Sequence, residues 1–247
     1  MELVRYAVAD AVATITLDSP HNRNALSKQL VTELFSHLET AAADESVKVV
    51  LIASAGKVFC SGADLSEATA DGMEEGAKRI VALQRLIVSM DKPVVVRAYG
   101  AVRAGGIGIV AAADIVVAGE SATFALTEVK LGLAAAIISL TVHHRMNPRA
   151  SALTTLGGEV FSGADAAAYG LVTMAVPDDE IDERVAAVCA SLATGAPQGL
   201  RESKRILNAD LVARIDARGA EMAALSAKLF ASDDAREAMT AFLSRKK

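Results

Sequence analysis

The chain has 247 residues, 52% of them hydrophobic, and a formal charge of -5 with acidic and basic residues interspersed along its length. That length and apolar fraction suffice for one large core, or a core with a helical appendage, and exclude a disordered chain. The dispersed acidic balance excludes an extended basic surface of the kind that follows nucleic-acid phosphates, so no nucleic-acid partner is expected.

Val4 to Ala9 and Ala11 to Leu17 alternate apolar and polar residues, which predicts paired strands. Ser27 stands where it can cap a helix in which Leu30, Val31, Leu34 and Leu38 recur at helical spacing, ending near Ala43. Val47 to Ala53 is a continuous β-branched run, the pattern of a strand covered on both faces. The cycle then repeats, with a helix from about Glu74 to Met90, a strand at Val94 to Ala98, a glycine-rich turn, a short apolar helix and a strand at Asp114 to Ala118. Strands alternating with helices imply right-handed crossovers and a parallel sheet. From Ser139 onward the pattern is helical, with a strand-like interruption at Leu171 to Val176 and a natural break at Gly195-Ala196-Pro197. An α/β core over residues 1–195 and a helical region over residues 196–247 are therefore expected.

Cys60 and Cys189 have no CxxC spacing and read as buried thiols of a reducing compartment. Met1 onward runs directly into a strand-like pattern without a basic and apolar leader, and apolar stretches such as Ile107 to Ala113 are far shorter than a bilayer span. A cytoplasmic protein with no membrane partner is the expectation. His143 and His144, adjacent on a helix, point about 100° apart and have no third ligand at suitable spacing, so no metal is expected.

Three segments have the composition of a reactive site. The first, Val58-Phe59-Cys60-Ser61-Gly62-Ala63-Asp64-Leu65, follows a buried strand and carries small residues where the chain must turn, which can expose a backbone N–H; it also reads as a plain strand-to-helix connection. The second, Tyr99 to Val110 with Gly105, Gly106 and Gly108, places glycines at a helix N-terminus, where free N–H groups favour negative charge; tight helix-to-sheet packing would use the same residues. Its spacing is not the GxGxxG of a dinucleotide site. In the third, Ala122 to Gly132, one carboxylate, Glu128, sits among apolar neighbours that would raise its pKa and suit it to proton transfer; an ion pair with Lys130 or a solvated loop acid are the alternatives. Two amides from two strand-end turns aimed at one oxygen would make an oxyanion hole.

In this order and at these separations the three segments resemble the crotonase (enoyl-CoA hydratase/isomerase) superfamily. Arg23-Asn24-Ala25-Leu26-Ser27, Phe161-Ser162-Gly163-Ala164-Asp165-Ala166, Gly170-Leu171-Val172 and the terminal Ala241-Phe242-Leu243 extend the resemblance over nearly the whole chain. It implies an α/β fold, the crotonase-like ββα spiral core with a C-terminal helical trimerisation region, assembled as a homotrimer or dimer of trimers. It further implies that the N–H groups of Ala63 and Gly105 hold a thioester carbonyl, with Glu128 as the catalytic carboxylate. Arg23, Ala25, Ser61, Gly62, Asp64, Leu65, Ser66 and Gly106 would line the groove for an acyl-CoA substrate. Phe242 and Arg245 match positions that reach the CoA of a neighbouring subunit. No separate cofactor is implied, because coenzyme A is part of the substrate.

Two departures bear on the reaction. Typical hydratases of the superfamily flank the attacking water with two glutamates, and the first of these falls at Gly108. The usual proline after the Leu131-Gly132 turn is replaced by alanine around Ala135, which leaves the backbone less preset. A branch similar to the bacterial methylglutaconyl-CoA-type hydratases also has glycine at the place of Gly108, which favours hydration of an enoyl-CoA. Double-bond isomerisation by one glutamate, or a non-catalytic acyl-CoA-binding protein, are the other readings. The acidic stretch Glu67 to Glu75 reads as a solvated helix start, or as a cover over the acyl groove.

Overall fold

The computed structural model describes residues 1–67 and 70–244, with side chains given except for residues 70–73 and 242–244. The chain opens with β1 (Val4–Ala9) and β2 (Val12–Leu17), an antiparallel pair whose register places Ala9 opposite Val12. Asp10 and Ala11 make that turn with φ of 50° and 62°, the positive angles that a two-residue hairpin turn with right-handed strand twist requires. Next comes α1 (Lys28–Ala43), capped as expected by Ser27, whose hydroxyl accepts from the Leu30 N–H.

Three strand-strand-helix turns follow. They comprise β3 (Val49–Ser54), β4 (Val58–Cys60) and α2 (Ala70–Ser89); β5 (Val94–Ala98), β6 (Ala101–Arg103) and α3 (Gly105–Ala112); then β7 (Ile115–Gly119) and β8 (Thr123–Ala125), leading to α4 (Ser139–Arg145). The first strand of each turn joins a six-stranded sheet, order β1-β2-β3-β5-β7-β10, and the second joins a four-stranded sheet, order β4-β6-β8-β9. Strands β9 (Phe161–Ser162) and β10 (Met174–Val176) complete the two sheets, with α5 (Pro148–Gly157) before them and α6 (Gly163–Ala168) between them. The chain ends with α7 (Ile181–Ala193), α8 (Pro197–Phe230) and α9 (Asp233–Ser244).

The apolar runs of the large sheet divide between two cores by strand alternation. Val50, Val94, Val96 and Val116 face the main core, while Val49, Val95 and Val117 face Ile181, Val185 and Cys189 of α7. Both cysteines are buried, as their isolated spacing suggested. The small sheet departs from the sequence reading: β4, β6 and β8 have three residues each and lie in segments where no strand was expected. Strands that short carry too few side chains for a period-2 pattern to register.

Helix α8 runs antiparallel along α2 and is pinned by a buried polar cluster. The Lys204 Nζ donates to the carbonyls of Ile87 and Lys92 at 2.8 Å and pairs with Asp114 Oδ2 at 2.8 Å; Asn208 donates to Asp114 Oδ1 at 2.8 Å. Every donor of the ammonium is thereby used, the condition under which a buried charge is tolerated. Further along, Arg85 pairs with Asp216, and Gly219 faces Val81. This register carries the last turns of α8 over the start of α2.

Ala104, the residue before α3, has φ 47° and ψ -120°, a conformation suited to glycine and strained for alanine. Ala104→Gly is expected to stabilise the chain by between about 0.5 and 2 kcal/mol, the relieved strain exceeding the added unfolded-state entropy. Urea unfolding at constant m-value checks this, and an unchanged or lower midpoint would count against the strain.

Candidate active site

The three segments singled out in the sequence leave neighbouring strands of the small sheet. β4 and β6 are parallel neighbours, with Val58 opposite Ala101 and Cys60 beside Val102, and β6 pairs in parallel with β8. Ala63, Gly105 and Glu128 follow the ends of β4, β6 and β8 and line one cavity of about 630 Å³. The two turns that carry the amides interlock. Gly62 has φ 95°, and a side chain there would meet the Ala104 Cβ at 3.0 Å; a Cβ on Gly106 would meet the Cys60 Cβ at 2.7 Å. Glycine is thus required at 62 by conformation and at 106 by close approach.

The Leu26 N–H donates to the Gly62 carbonyl at 2.8 Å, and the Ser61 N–H donates to the Arg23 carbonyl at 3.2 Å. Among the described residues neither the Ala63 nor the Gly105 N–H has an acceptor. Gly105 is the first residue of α3, where the helix leaves its N–H groups free and carries partial positive charge.

Among the described residues four carboxylates line the cavity: Asp64, Glu67, Glu75 and Glu128. Three are engaged. Asp64 accepts from Asn22 Nδ2 at 3.0 Å and from Ser66 Oγ at 2.6 Å, so that its pKa lies below the usual value although burial opposes this. Glu67 accepts from the Lys28 N–H at 2.7 Å, and Glu75 pairs with Arg79 at 3.2 Å. Glu128 Oε2 is buried with no hydrogen-bond partner, and burial pushes the Glu128 pKa up to about 7. Lys130, which the sequence offered as its ion-pair partner, pairs instead with Glu159 at 3.1 Å. Glu128 is held by the 3-10 turn Thr127–Leu131, closed by the Leu133 N–H donating to the Glu128 carbonyl at 3.0 Å, and the backbone of Asp234 and Ala235 in α9 seats against Gly132.

A family model described as enoyl-CoA hydratase/isomerase matches residues 7–247. The chain belongs to the enoyl-CoA hydratase/isomerase family. Its fold is similar to the crystal structure of an enoyl-CoA hydratase from Mycobacterium avium, at 44% identity and a TM-score of 0.92, covering 98% of this chain and 96% of that one. A second enoyl-CoA hydratase structure, from Mycobacterium avium subsp. paratuberculosis K-10, matches at 31% identity and a TM-score of 0.88 over 98% of this chain and 96% of that one. In sequence, the chain is 32% identical over 253 residues to a Bacillus subtilis (strain 168) protein named "Probable enoyl-CoA hydratase", covering 100% of this chain and 98% of that protein.

Of the residues that the family resemblance singled out, Ser61, Ala63, Asp64, Leu65, Gly105 and Glu128 line the cavity. Arg23, Ala25, Gly62, Ser66 and Gly106 are not on its wall: Gly62 and Gly106 are packing positions, Arg23 supplies its carbonyl to Ser61, and Ser66 supports Asp64. Arg245 and the Phe242 side chain lie outside the described residues, as do residues 68 and 69 of the acidic stretch. Glu67 and Glu75, at its two ends, both face the cavity. Sequence reasoning missed the apolar wall made by Ile80 of α2, the segment Leu133 to Ile138, and Phe230 of α8. It also missed the reason for Gly108. A Cβ there would meet Ile138 Cγ2 at 2.5 Å, so the space a side chain at the place of the first family glutamate would need is taken by an isoleucine side chain.

Two outcomes follow from these contacts. For Glu128, a folded-state pKa above the unfolded value means that the native state holds the proton longer, so stability falls as pH rises from about 4.5 to about 7. Glu128→Gln should therefore match wild type in thermal unfolding at pH 4 and exceed it by roughly 1–3 kcal/mol at pH 8; equal stability at both would show that the carboxyl is solvated. In a double-mutant cycle, Gly108→Ala and Ile138→Ala should each destabilise, while the pair destabilises by less than the sum, by roughly 1 kcal/mol or more. Strict additivity in denaturant unfolding would separate the two sites.

Proposed function

We propose that the chain is an enoyl-CoA hydratase that adds water across the 2,3 double bond of an enoyl-CoA, with the thioester carbonyl held by the Ala63 and Gly105 amides. The observation that carries this reading is the buried Glu128 carboxyl, whose Oε2 has no hydrogen-bond partner, in the same cavity as two N–H groups without acceptors among the described residues. The names of the relatives support it.

The chemistry follows from where charge develops. Water attacks C3 as the Glu128 carboxylate takes its proton, and the electrons of the double bond move onto the thioester oxygen. The enolate so formed is what two aimed amides stabilise, each worth about 2.7–4 kcal/mol in such sites. The Glu128 carboxyl then returns the proton to C2, which completes the addition. A pKa of about 7 suits a group that must both accept and donate near neutral pH.

The apolar Ile138 in place of a second carboxyl favours a second reading, double-bond isomerisation. Here Glu128 takes a proton from C2 of a 3-enoyl thioester and delivers it to C4. The trimer or dimer of trimers expected from the family has an apolar surface to draw on, since Val129, Leu153, Leu156 and Val160 are exposed.

Incubation with a short 2-enoyl-CoA should remove the conjugated-thioester absorbance, with activity climbing as pH rises through about 7 as the base deprotonates. Appearance of that absorbance from a 3-enoyl-CoA marks isomerisation instead, and binding without turnover marks a silent acyl-CoA-binding module. Glu128→Gln should lower kcat about 10²- to 10⁴-fold. Full turnover in that variant would remove the base from the mechanism.

A further inference from the structure

The acyl-CoA reading leaves one polar group of the cavity wall unexplained. Ser226, on α8, is 7% exposed and lines the cavity among apolar residues that include Ala77, Ile138 and Phe230. Among the described residues none accepts from or donates to its hydroxyl. Four helical threonines, Thr32, Thr40, Thr154 and Thr240, each donate to the carbonyl four residues back. Ser226 does not use that default. Lining the cavity without a protein partner, the hydroxyl is left to water in the free protein, and an acyl chain that displaces that water leaves it unpaired unless the chain carries an oxygen of its own.

We infer that Ser226 is a hydrogen-bonding contact for an oxygen carried on the acyl chain, and that the cavity takes acyl-CoA thioesters bearing a neutral hydroxyl or carbonyl remote from the thioester. The inference rests on the acyl-CoA reading of the cavity. The place of Ser226 follows from the α8 register: Met222, one turn earlier, has its Sδ 3.9 Å from Ser139 Oγ, next to Ile138, and Ser226 continues along the wall away from the Lys204 anchor. The wall residues Ala77, Ile80, Leu133, Ile138 and Phe230 are apolar, which accommodates methylenes before the oxygen. A neutral partner is favoured over a carboxylate by the cations available. The cavity wall holds Lys28 and Arg79; Arg79 is paired with Glu75, and Lys28 opens α1 beside Glu67. Among the described residues no cation lies on the α8 side of the wall to balance a buried carboxylate.

Competition binding with saturated acyl-CoAs of four to ten carbons, with and without a terminal hydroxyl, tests this without turnover. At the length that brings the hydroxyl to Ser226, the hydroxylated ligand should bind about three- to tenfold tighter than its alkyl counterpart, the range of one neutral hydrogen bond. Ser226→Ala should abolish that difference, and Ser226→Thr should keep it. Equal binding of both series at every length, or a preference that survives Ser226→Ala, would overturn the inference and leave the acyl-CoA reading intact. No binding of either series would overturn both.

Discussion

The site depends on one backbone constraint: the ends of three adjacent short strands must turn away from their sheet without using the next available N–H. At β4 and β6 this is achieved by two turns that need each other. Gly62 and Ala104 both hold positive φ, and they approach so closely that neither turn tolerates a larger residue facing the other. Gly106 closes the same seam against Cys60. Packing of this kind leaves little freedom to the two amides, and rigid donors are what make a developing oxyanion cheap to stabilise, since no reorganisation is required during the reaction. The alanine at 104 shows that the fold accepts backbone strain next to the proposed catalytic N–H, where strained residues tend to collect.

The third strand end supplies the opposite kind of group. Glu128 gains little from its surroundings in the free protein: its buried Oε2 has no donor and burial disfavours its charge, whereas the Asp64 carboxylate of the same cavity is hydrogen-bonded and held below its usual pKa. A group so placed lowers stability, and the rest of the fold must hold it there. The α9 backbone presses on the Gly132 turn from one side, while α8, fixed by the fully used Lys204 ammonium, supplies the far wall. The C-terminal helices that the sequence set apart from the core are therefore part of the cavity itself, through Ser226 and Phe230.

Long elements with strong periodicity could be read from the sequence. Ser27 and the Leu30, Val31, Leu34, Leu38 stripe define α1, and the Val-rich runs define the buried strands of the large sheet, because a helix face or a two-sided strand leaves a repeated chemical imprint. The small sheet left none. Its strands are too short for alternation, and its pairing, Cys60 beside Val102 and Val102 beside Phe124, is set by the superhelical repeat rather than by local composition. The site was readable in part for the same reason. Glu128 and the glycine turns lie in contiguous segments with distinctive residues, whereas Ile138 and Ser226 reach the cavity from elements whose sequences give no hint of facing it. Pocket walls assembled from distant segments are fixed only by the fold.

Gly108 shows why residue type alone misleads at such a site. Read as a sequence position, it is a missing carboxylate, which suggests an enzyme stripped of half its machinery. In the fold the position is not vacant, because Ile138 packs into the space a side chain would need, with Gln84 of α2 behind it, satisfied by the Thr141 hydroxyl at 2.7 Å. A glutamate there would confront apolar surface and a hydrogen-bonded amide, so the exchange of carboxylate for glycine and the placement of Ile138 form one coupled arrangement. Its chemical consequence is an asymmetric cavity: one face of a bound enoyl group would meet a carboxyl that changes protonation near pH 7, and the other would meet hydrocarbon. On the proposed reading, side-chain proton transfer then falls to Glu128, and the partition between adding water and moving a double bond would be governed by whether the apolar face admits a water molecule.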